Sequence, residues 1–74
     1  MKHLSRKDFR KEFGRKLHNA RIDQGLSQLE LSWKVGQNAT VISFWETGRQ
    51  LPSLYNLRLL SIALDTSVKY FLSL

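Results

Sequence analysis

Residues 28–48 constrain the fold of this 74-residue chain more than any other segment. Ser27, just before this segment, and Glu30 within it have the spacing of a capping box, which predicts the start of a helix. Gly36 can take the left-handed conformation that ends a helix, and Asn38 can cap the next one. The segment therefore predicts two short helices joined by a tight turn.

The second of these helices has two different faces. At about 100° per residue, Val41, Ile42 and Trp45 lie on one face, which predicts that this face is buried. The opposite face carries mostly small side chains, namely Ala39, Thr40, Ser43, Phe44 and Thr47. A short helix of this kind, held at a fixed angle to its neighbour, can enter the major groove of DNA.

The positive charge of the chain is concentrated near its N-terminus. Residues 1–21 hold eight of the twelve Lys and Arg residues and two of the six acids, so the net charge of +6 lies there. Such a segment suits polyphosphate or an anionic membrane surface, and a solvated helix face is the simpler interpretation. Membrane binding is disfavoured because the narrow apolar stripe of this segment is needed for the core.

Cysteine content and hydropathy suggest where the protein acts. The chain has no cysteine, and no apolar run approaches the ~20 residues of a membrane span. We therefore expect a cytoplasmic protein without disulfide bonds. A chain of this size also forms only a modest core, which makes pairing with a second subunit plausible.

The rest of the chain predicts three further helices. The first covers residues 5–24, begins with a capping box of Ser5 and Asp8, and has Leu4 packed on Phe9 as a hydrophobic staple. Its buried stripe is expected to be Phe9, Phe13, Leu17 and Ala20. A fourth helix follows Ser53, with inward-facing side chains expected at Leu54, Leu57, Leu60, Ser61 and Leu64. Residues 68–72 predict a short fifth helix.

A set of residues with ungapped spacing carries a family resemblance. They are Arg21, Gly25-Leu26-Ser27-Gln28, Leu31, Gly36, Ile42, Trp45-Glu46, Gly48, Pro52-Ser53, Leu57 and Leu64. Together they resemble the Cro/repressor-type helix-turn-helix family, the lambda-repressor-like DNA-binding domains. The resemblance implies an all-α fold, a compact bundle of five helices whose third helix lies in the major groove. It also implies a single domain over residues 1–74, with a basic N-terminal segment (1–12) and a family-like core (13–71).

Four positions depart from the family pattern. Gln37 replaces the common small apolar residue after the turn, which is expected to leave that turn less packed. Ser32 and Ser61 replace alanine inside the helix packing, where each hydroxyl is expected to bond to the carbonyl four residues earlier. Asp65 replaces the usual glycine between the fourth and fifth helices, and Asp tolerates left-handed geometry. None of these changes is expected to alter the fold.

The resemblance and the helix faces together predict the functional residues. Expected base contacts come from Asn38, Ala39, Thr40, Ser43 and Phe44, and expected phosphate contacts from Gln28, Thr47 and Arg49. Arg21 and Glu46 resemble a family pair that ties the first helix to the recognition helix. His3 and His18 lack companions at metal-ligand spacing, and no nucleophile-base arrangement is present, so we expect neither a metal, a cofactor nor an enzyme.

Three functions remain open at this stage. The favoured one is a sequence-specific regulator of transcription, a repressor that binds a near-palindromic double-stranded operator as a homodimer through residues 51–74. The surplus apolar side chains from which that seam is expected to be drawn are Leu59, Ile62, Tyr70, Phe71, Leu72 and Leu74, and some of them are expected to pack within the monomer. The alternative is a terminal helix that folds wholly onto its own subunit. The second is an antitoxin-type regulator whose main partner is a protein bound through Leu29, Trp33 and residues 70–72, although we expect the first helix to cover Leu29 and Trp33. The third is a sequence-neutral nucleic-acid binder.

Overall fold

The computed structural model describes residues 5–74, and this part of the chain forms five α-helices. They are α1 (Arg6–Asp23), α2 (Gln28–Lys34), α3 (Ala39–Glu46), α4 (Leu54–Ala63) and α5 (Val68–Leu72). The predicted all-α five-helix architecture is confirmed. None of these helices is long and apolar enough to span a bilayer. The predicted staple from Leu4 and the assessment of His3 lie outside the described residues.

Each helix begins at a polar side chain that accepts a hydrogen bond from the backbone N–H three residues later. The caps are Ser5, Ser27, Asn38, Ser53 and Ser67. Ser27 and Glu30 form both bonds of the predicted capping box, whereas Ser5 shows the first bond only, from the Asp8 N–H at 3.1 Å. Since these caps satisfy otherwise unpaired donors, the helix starts are encoded locally.

The turn that follows α2 also has the predicted geometry. Gly36 has φ +67°, and the Gln37 N–H donates to the Ser32 carbonyl at 2.9 Å, as in a Schellman ending. Asp65, in the place of the usual family glycine, has φ +49° and is left-handed as predicted.

The core contains buried side chains from all five helices. They are Phe13, Leu17 and Ala20 of α1, Leu31 of α2, Ile42 and Trp45 of α3, Leu57 and Leu60 of α4 and Phe71 of α5, with Val35 and Leu64 just after α2 and α4. The rings of Phe13 and Phe71 lie 5.7 Å apart, so the terminal helices close on each other. Most of the predicted core is confirmed, but Phe9, Val41 and Ser61 are only partly buried. Leu54 is 81% exposed because it is the first residue of α4 and points away from the bundle.

The two serines inside the helix packing find partners other than those predicted. The Ser32 hydroxyl donates to the Leu29 carbonyl, three residues earlier, at 2.6 Å. The Ser61 hydroxyl donates forward to the Thr66 carbonyl at 2.5 Å and so ties α4 to the loop before α5. The expected bond to the carbonyl four residues earlier was therefore wrong for both, since a loop or a nearer carbonyl offers the better acceptor.

A glycine in the middle of α1 sets how closely α1 approaches α3. An ideal Cβ at Gly14 would lie 2.7 Å from the carbonyl oxygen of Trp45 and would also collide with that of Glu46. The backbone of α1 therefore lies directly against the last turn of α3. Sequence reasoning did not identify Gly14, because a lone glycine inside a helical pattern does not show which neighbour approaches it.

We predict that Gly14→Ala destabilises the protein. In an isolated helix this change is worth roughly 0.5–1 kcal/mol of stabilisation, but here the methyl group meets backbone atoms and overpacking costs typically 1–3 kcal/mol. Urea denaturation of Gly14→Ala, with the exposed Asn19→Ala on the same helix as control, measures the sign. A Gly14→Ala variant more stable than wild type would show that α1 and α3 are not in close contact.

Candidate nucleic-acid interface

The orientation of α3 is fixed by its buried face. Ile42 and Trp45 lie in the core together with Leu31 and Val35 of the α2 segment. Because the side chains on one face of this eight-residue helix are buried in the core, its opposite face points toward solvent. α2, the turn and α3 thus form a helix-turn-helix unit that shares one buried core.

The predicted base-facing residues lie on or beside the outward face of α3. Thr40 is exposed, while Ala39, Ser43 and Phe44 are partly exposed. Asn38 precedes them as the helix cap: its Oδ1 accepts a hydrogen bond from the Val41 N–H at 2.9 Å, which leaves the two amide donors of its side chain for another partner. These residues form one accessible surface, and their contacts with bases remain a prediction.

The predicted phosphate-contacting residues lie around this surface. Gln28 is the first residue of α2, and Thr47 and Arg49 follow α3. The Thr47 hydroxyl donates to the Ser43 carbonyl at 2.8 Å, so its oxygen can still accept but its proton is used. The guanidinium of Arg49 lies over the Phe44 ring, 4.5 Å from its centroid.

The structure brings the predicted pair, Arg21 and Glu46, together across α1 and α3. Arg21 Nε lies 2.6 Å from Glu46 Oε2, and Arg21 Nη2 lies 2.9 Å from Glu46 Oε1, a two-pronged arrangement. Their side chains are 8% and 4% exposed. Arg21 Nη1 also donates to the Leu26 carbonyl at 2.8 Å, so one guanidinium joins α1, the loop before α2, and α3.

Two further side chains complete this cluster. The Gln28 side-chain amide donates to Glu46 Oε1 at 3.2 Å. His18 Nδ1 lies 3.1 Å from the same oxygen and 3.1 Å from Arg21 Nη2. Sequence reasoning missed His18; the only available signal was its position three residues before Arg21, which places both on one side of α1.

The cluster stabilises the charged forms of both ionised groups. Burial alone raises the pKa of Glu46, but hydrogen bonds from Arg21, Gln28 and His18 outweigh it, so the pKa lies below its ordinary value. The hydrogen bond to Glu46 raises the pKa of Arg21, against an opposing contribution from burial. The pair is therefore ionised over the whole physiological range.

A second contact between α1 and the end of α3 comes from the basic segment. Arg10 Nε donates to the Gly48 carbonyl at 3.1 Å, and a Cβ at Gly48 would lie 3.2 Å from the backbone of Lys11. Part of the positive charge of α1 therefore lies beside the turn that carries Arg49. The sequence alone could not distinguish these two basic residues from the others on α1.

The expectation that α1 covers Leu29 and Trp33 was wrong. Trp33 is 68% exposed and Leu29 is about half exposed. The reason is that the buried face of α2 is the one with Leu31 and Ser32. Leu29 and Trp33 are therefore left together on the outside of α2.

In residues 5–74, no group of three His, Cys, Asp or Glu side chains could hold a metal ion.

The fold and this surface define a helix-turn-helix domain, and comparisons with known proteins agree. A helix-turn-helix family model matches residues 17–71. A comparison with curated proteins gave no significant match. The chain belongs to the lambda-repressor-like, Cro/repressor-type helix-turn-helix family, and it is a DNA-binding transcription regulator.

Three solved structures illustrate the similarity. The restriction-modification controller protein C.AhdI from Aeromonas hydrophila is 31% identical, with a TM-score of 0.78 over 82% of this chain and 92% of that one. The P22 c2 repressor protein, in complex with a synthetic operator, is 33% identical, with a TM-score of 0.78 over 81% and 91%. The clp gene regulator ClgR from Corynebacterium glutamicum is 29% identical, with a TM-score of 0.83 over 88% and 69%.

We predict that Glu46→Gln lowers the free energy of unfolding at pH 7 by roughly 3–5 kcal/mol, because it leaves the buried Arg21 charge uncompensated. Since folding lowers the pKa of Glu46, the carboxylate stabilises the protein above its unfolded pKa of about 4.3. This contribution is lost as the pH falls through the lower folded pKa. The difference between variant and wild type should therefore shrink in acid.

Urea denaturation between pH 7 and about pH 3 measures this difference, since that window spans the unfolded carboxyl pKa. Asp23→Asn, which removes an exposed acid from α1, is the control and should follow wild type closely. A Glu46→Gln midpoint equal to that of wild type at pH 7 would mean that the pair does not hold the fold.

Proposed function

We propose that this protein binds one family of double-stranded DNA sequences and represses transcription there as a homodimer. The observation that carries the proposal is the asymmetry of α3: Ile42 and Trp45 are buried, while the face with Thr40 and Ser43 is accessible. Hydroxyl groups on a helix that fits the major groove can donate to or accept from base edges. The similar P22 c2 repressor, solved with a synthetic operator, supports this assignment.

The positive charge of α1 supports DNA as the partner. Of the eight basic residues between positions 1 and 21, six lie on α1 before Arg21. The chain as a whole carries a net charge of +6. Exposed basic side chains of α1, such as Lys11 beside the turn after α3, can contact the phosphate backbone, which gives affinity without sequence information. The hydroxyl-bearing face of α3 is then what distinguishes one sequence from another.

Specific binding by so small a surface favours two copies of the chain. One recognition helix contacts only a few base pairs, whereas two helices about 34 Å apart double the site and require a nearly palindromic operator. The exposed apolar side chains between residues 51 and 74 suit such a seam. They are Leu51, Leu54, Tyr55, Ile62, Tyr70 and Leu74.

Three side chains expected at the seam pack within the monomer instead. Phe71 is 1% exposed against Phe13, and Leu59 and Leu72 pack on the core. They were expected at the seam because a surplus of apolar residues does not show which of them fill the bundle. Leu54 and Tyr55, at 81% and 70% exposure, are therefore the better candidates for the dimer contact.

A second candidate function is supported by the exposed side chains of Leu29 and Trp33. An exposed apolar pair on a short helix is a common feature of protein-protein contacts. In this alternative, the main partner is another protein, as for an antitoxin-type regulator. Co-expression with the product of an adjacent gene distinguishes this alternative from the proposed repressor. The alternative would be favoured by a stable complex that is lost in a Leu29→Glu/Trp33→Glu variant whose DNA affinity remains that of wild type.

Selection of binding sites from random duplexes tests the proposed function, and Thr40→Val tests its mechanism. Valine keeps the shape of threonine but removes the hydroxyl, so we expect a loss of roughly 0.5–1.5 kcal/mol of discrimination at one base pair, the contribution of a single hydrogen bond. Binding measured on single-base variants of the selected site gives this value. Uniform weakening on every duplex would place Thr40 outside base recognition, and a wild type without any preferred site would favour the sequence-neutral alternative.

We predict that Leu54→Glu/Tyr55→Glu gives a folded monomer whose affinity for the full operator falls by at least about tenfold, because the two half-sites are no longer bound together. Sedimentation measures the oligomeric state, and binding to an isolated half-site should stay at the wild-type value. Leu29→Glu/Trp33→Glu is the charge-matched control and should remain dimeric. A wild-type protein that occupies its full operator as a monomer would contradict the dimer.

A further inference from the structure

The turn after α3 brings a guanidinium back onto the recognition helix. Gly48 has φ +79°, and the Arg49 N–H then donates to the Phe44 carbonyl at 2.9 Å. This reversal places the Arg49 guanidinium 4.5 Å from the centroid of the Phe44 ring. The side chain therefore lies along α3 and does not extend away from the end of the helix.

This placement supplies the chemistry that α3 itself lacks. The accessible side chains of the helix are those of Ala39, Thr40, Ser43 and Phe44, and none of these can make two parallel hydrogen bonds to one base. Arg49 carries five N–H donors in a planar fork, which matches the O6 and N7 acceptors of guanine. Among residues 5–74, the contacts within 4.0 Å between a carboxylate and a basic side chain are those of Glu46 with Arg21 and with His18 Nδ1, so no carboxylate occupies this fork.

We propose that Arg49 determines specificity by binding a guanine, with Phe44 as its platform. The ring holds the guanidinium plane by a cation-π contact, and its edge packs against the C5-methyl group of the thymine next to that guanine. The proposal rests on the proposed function and deepens it, since it assigns a particular two-base element of the operator to two named side chains.

The competing role for Arg49 is a contact with a backbone phosphate. A phosphate contact carries no sequence information and can be made by lysine as a point charge. A guanine contact needs the planar fork, which lysine lacks. The position of the guanidinium over a side chain of the recognition helix favours the base, because that helix faces the base edges and the phosphates flank it.

Arg49→Lys separates these two roles because it keeps the charge and removes the fork. Sites are selected from random duplexes with wild type and with Arg49→Lys, and affinities are then measured on all four bases at each position. We expect the variant to lose at least about tenfold of discrimination at one G·C pair and to keep its other preferences. An Arg49→Lys protein that selects the wild-type site with undiminished preference at every position overturns the inference and leaves the proposed function intact.

Base analogues locate the contact on the DNA. Replacing the assigned guanine by 7-deazaguanine removes N7 and should weaken wild type but leave Arg49→Lys unaffected, since effects on one shared contact are not additive. Replacing the neighbouring thymine by deoxyuridine removes the methyl group and should weaken wild type more than Phe44→Ala. Equal losses for wild type and Arg49→Lys with 7-deazaguanine overturn the inference, whereas a wild type without any preferred sequence overturns both it and the proposed function.

Discussion

The buried ion pair between Arg21 and Glu46 is the interaction on which the position of α3 depends. Arg21 lies on α1, Glu46 is the last residue of α3, and their side chains are 8% and 4% exposed. Charges removed from water at this level stabilise a protein only when each is fully paired, and here the two-pronged contact and the Leu26 carbonyl satisfy the guanidinium. A displacement of α3 along α1 would break these bonds together, so the pair fixes the register of the two helices.

The same carboxylate connects the core of the bundle to the surface that we propose for DNA binding. Glu46 Oε1 accepts a hydrogen bond from Gln28, the first residue of α2 and an expected phosphate contact. Gly14 allows α1 to lie against the carbonyl groups at the end of α3, and Arg10 bonds to the next turn. The end of α3 is therefore held from several directions, while its outward face stays accessible. The buried and the accessible side chains of this eight-residue helix are therefore different residues.

The features that sequence reasoning predicted well are those that depend on local chemistry. Caps such as Ser27 and Asn38, and the buried positions Ile42 and Trp45, follow from hydrogen bonding and helical periodicity within a few residues. The features it missed depend on which distant segment lies opposite: Gly14 against α3, Arg49 over Phe44, and the exposure of Trp33 and Leu54. The position of the pair Arg21 and Glu46 was accessible only through the family resemblance, because 24 residues separate its members.

The location of Arg49 changes how the chemistry of the outward surface is understood. Considered as a helix alone, α3 offers only hydroxyl and apolar groups, which discriminate weakly among bases. A glycine that reverses the chain after α3 returns a long cationic side chain to this face, where an aromatic ring orients it. A surface of short side chains leaves room for that arginine beside the helix, whereas long side chains at positions 40 and 43 would compete with it for the same space. The short side chains on the accessible face of α3 are thus what allows the Arg49 guanidinium to lie beside the helix.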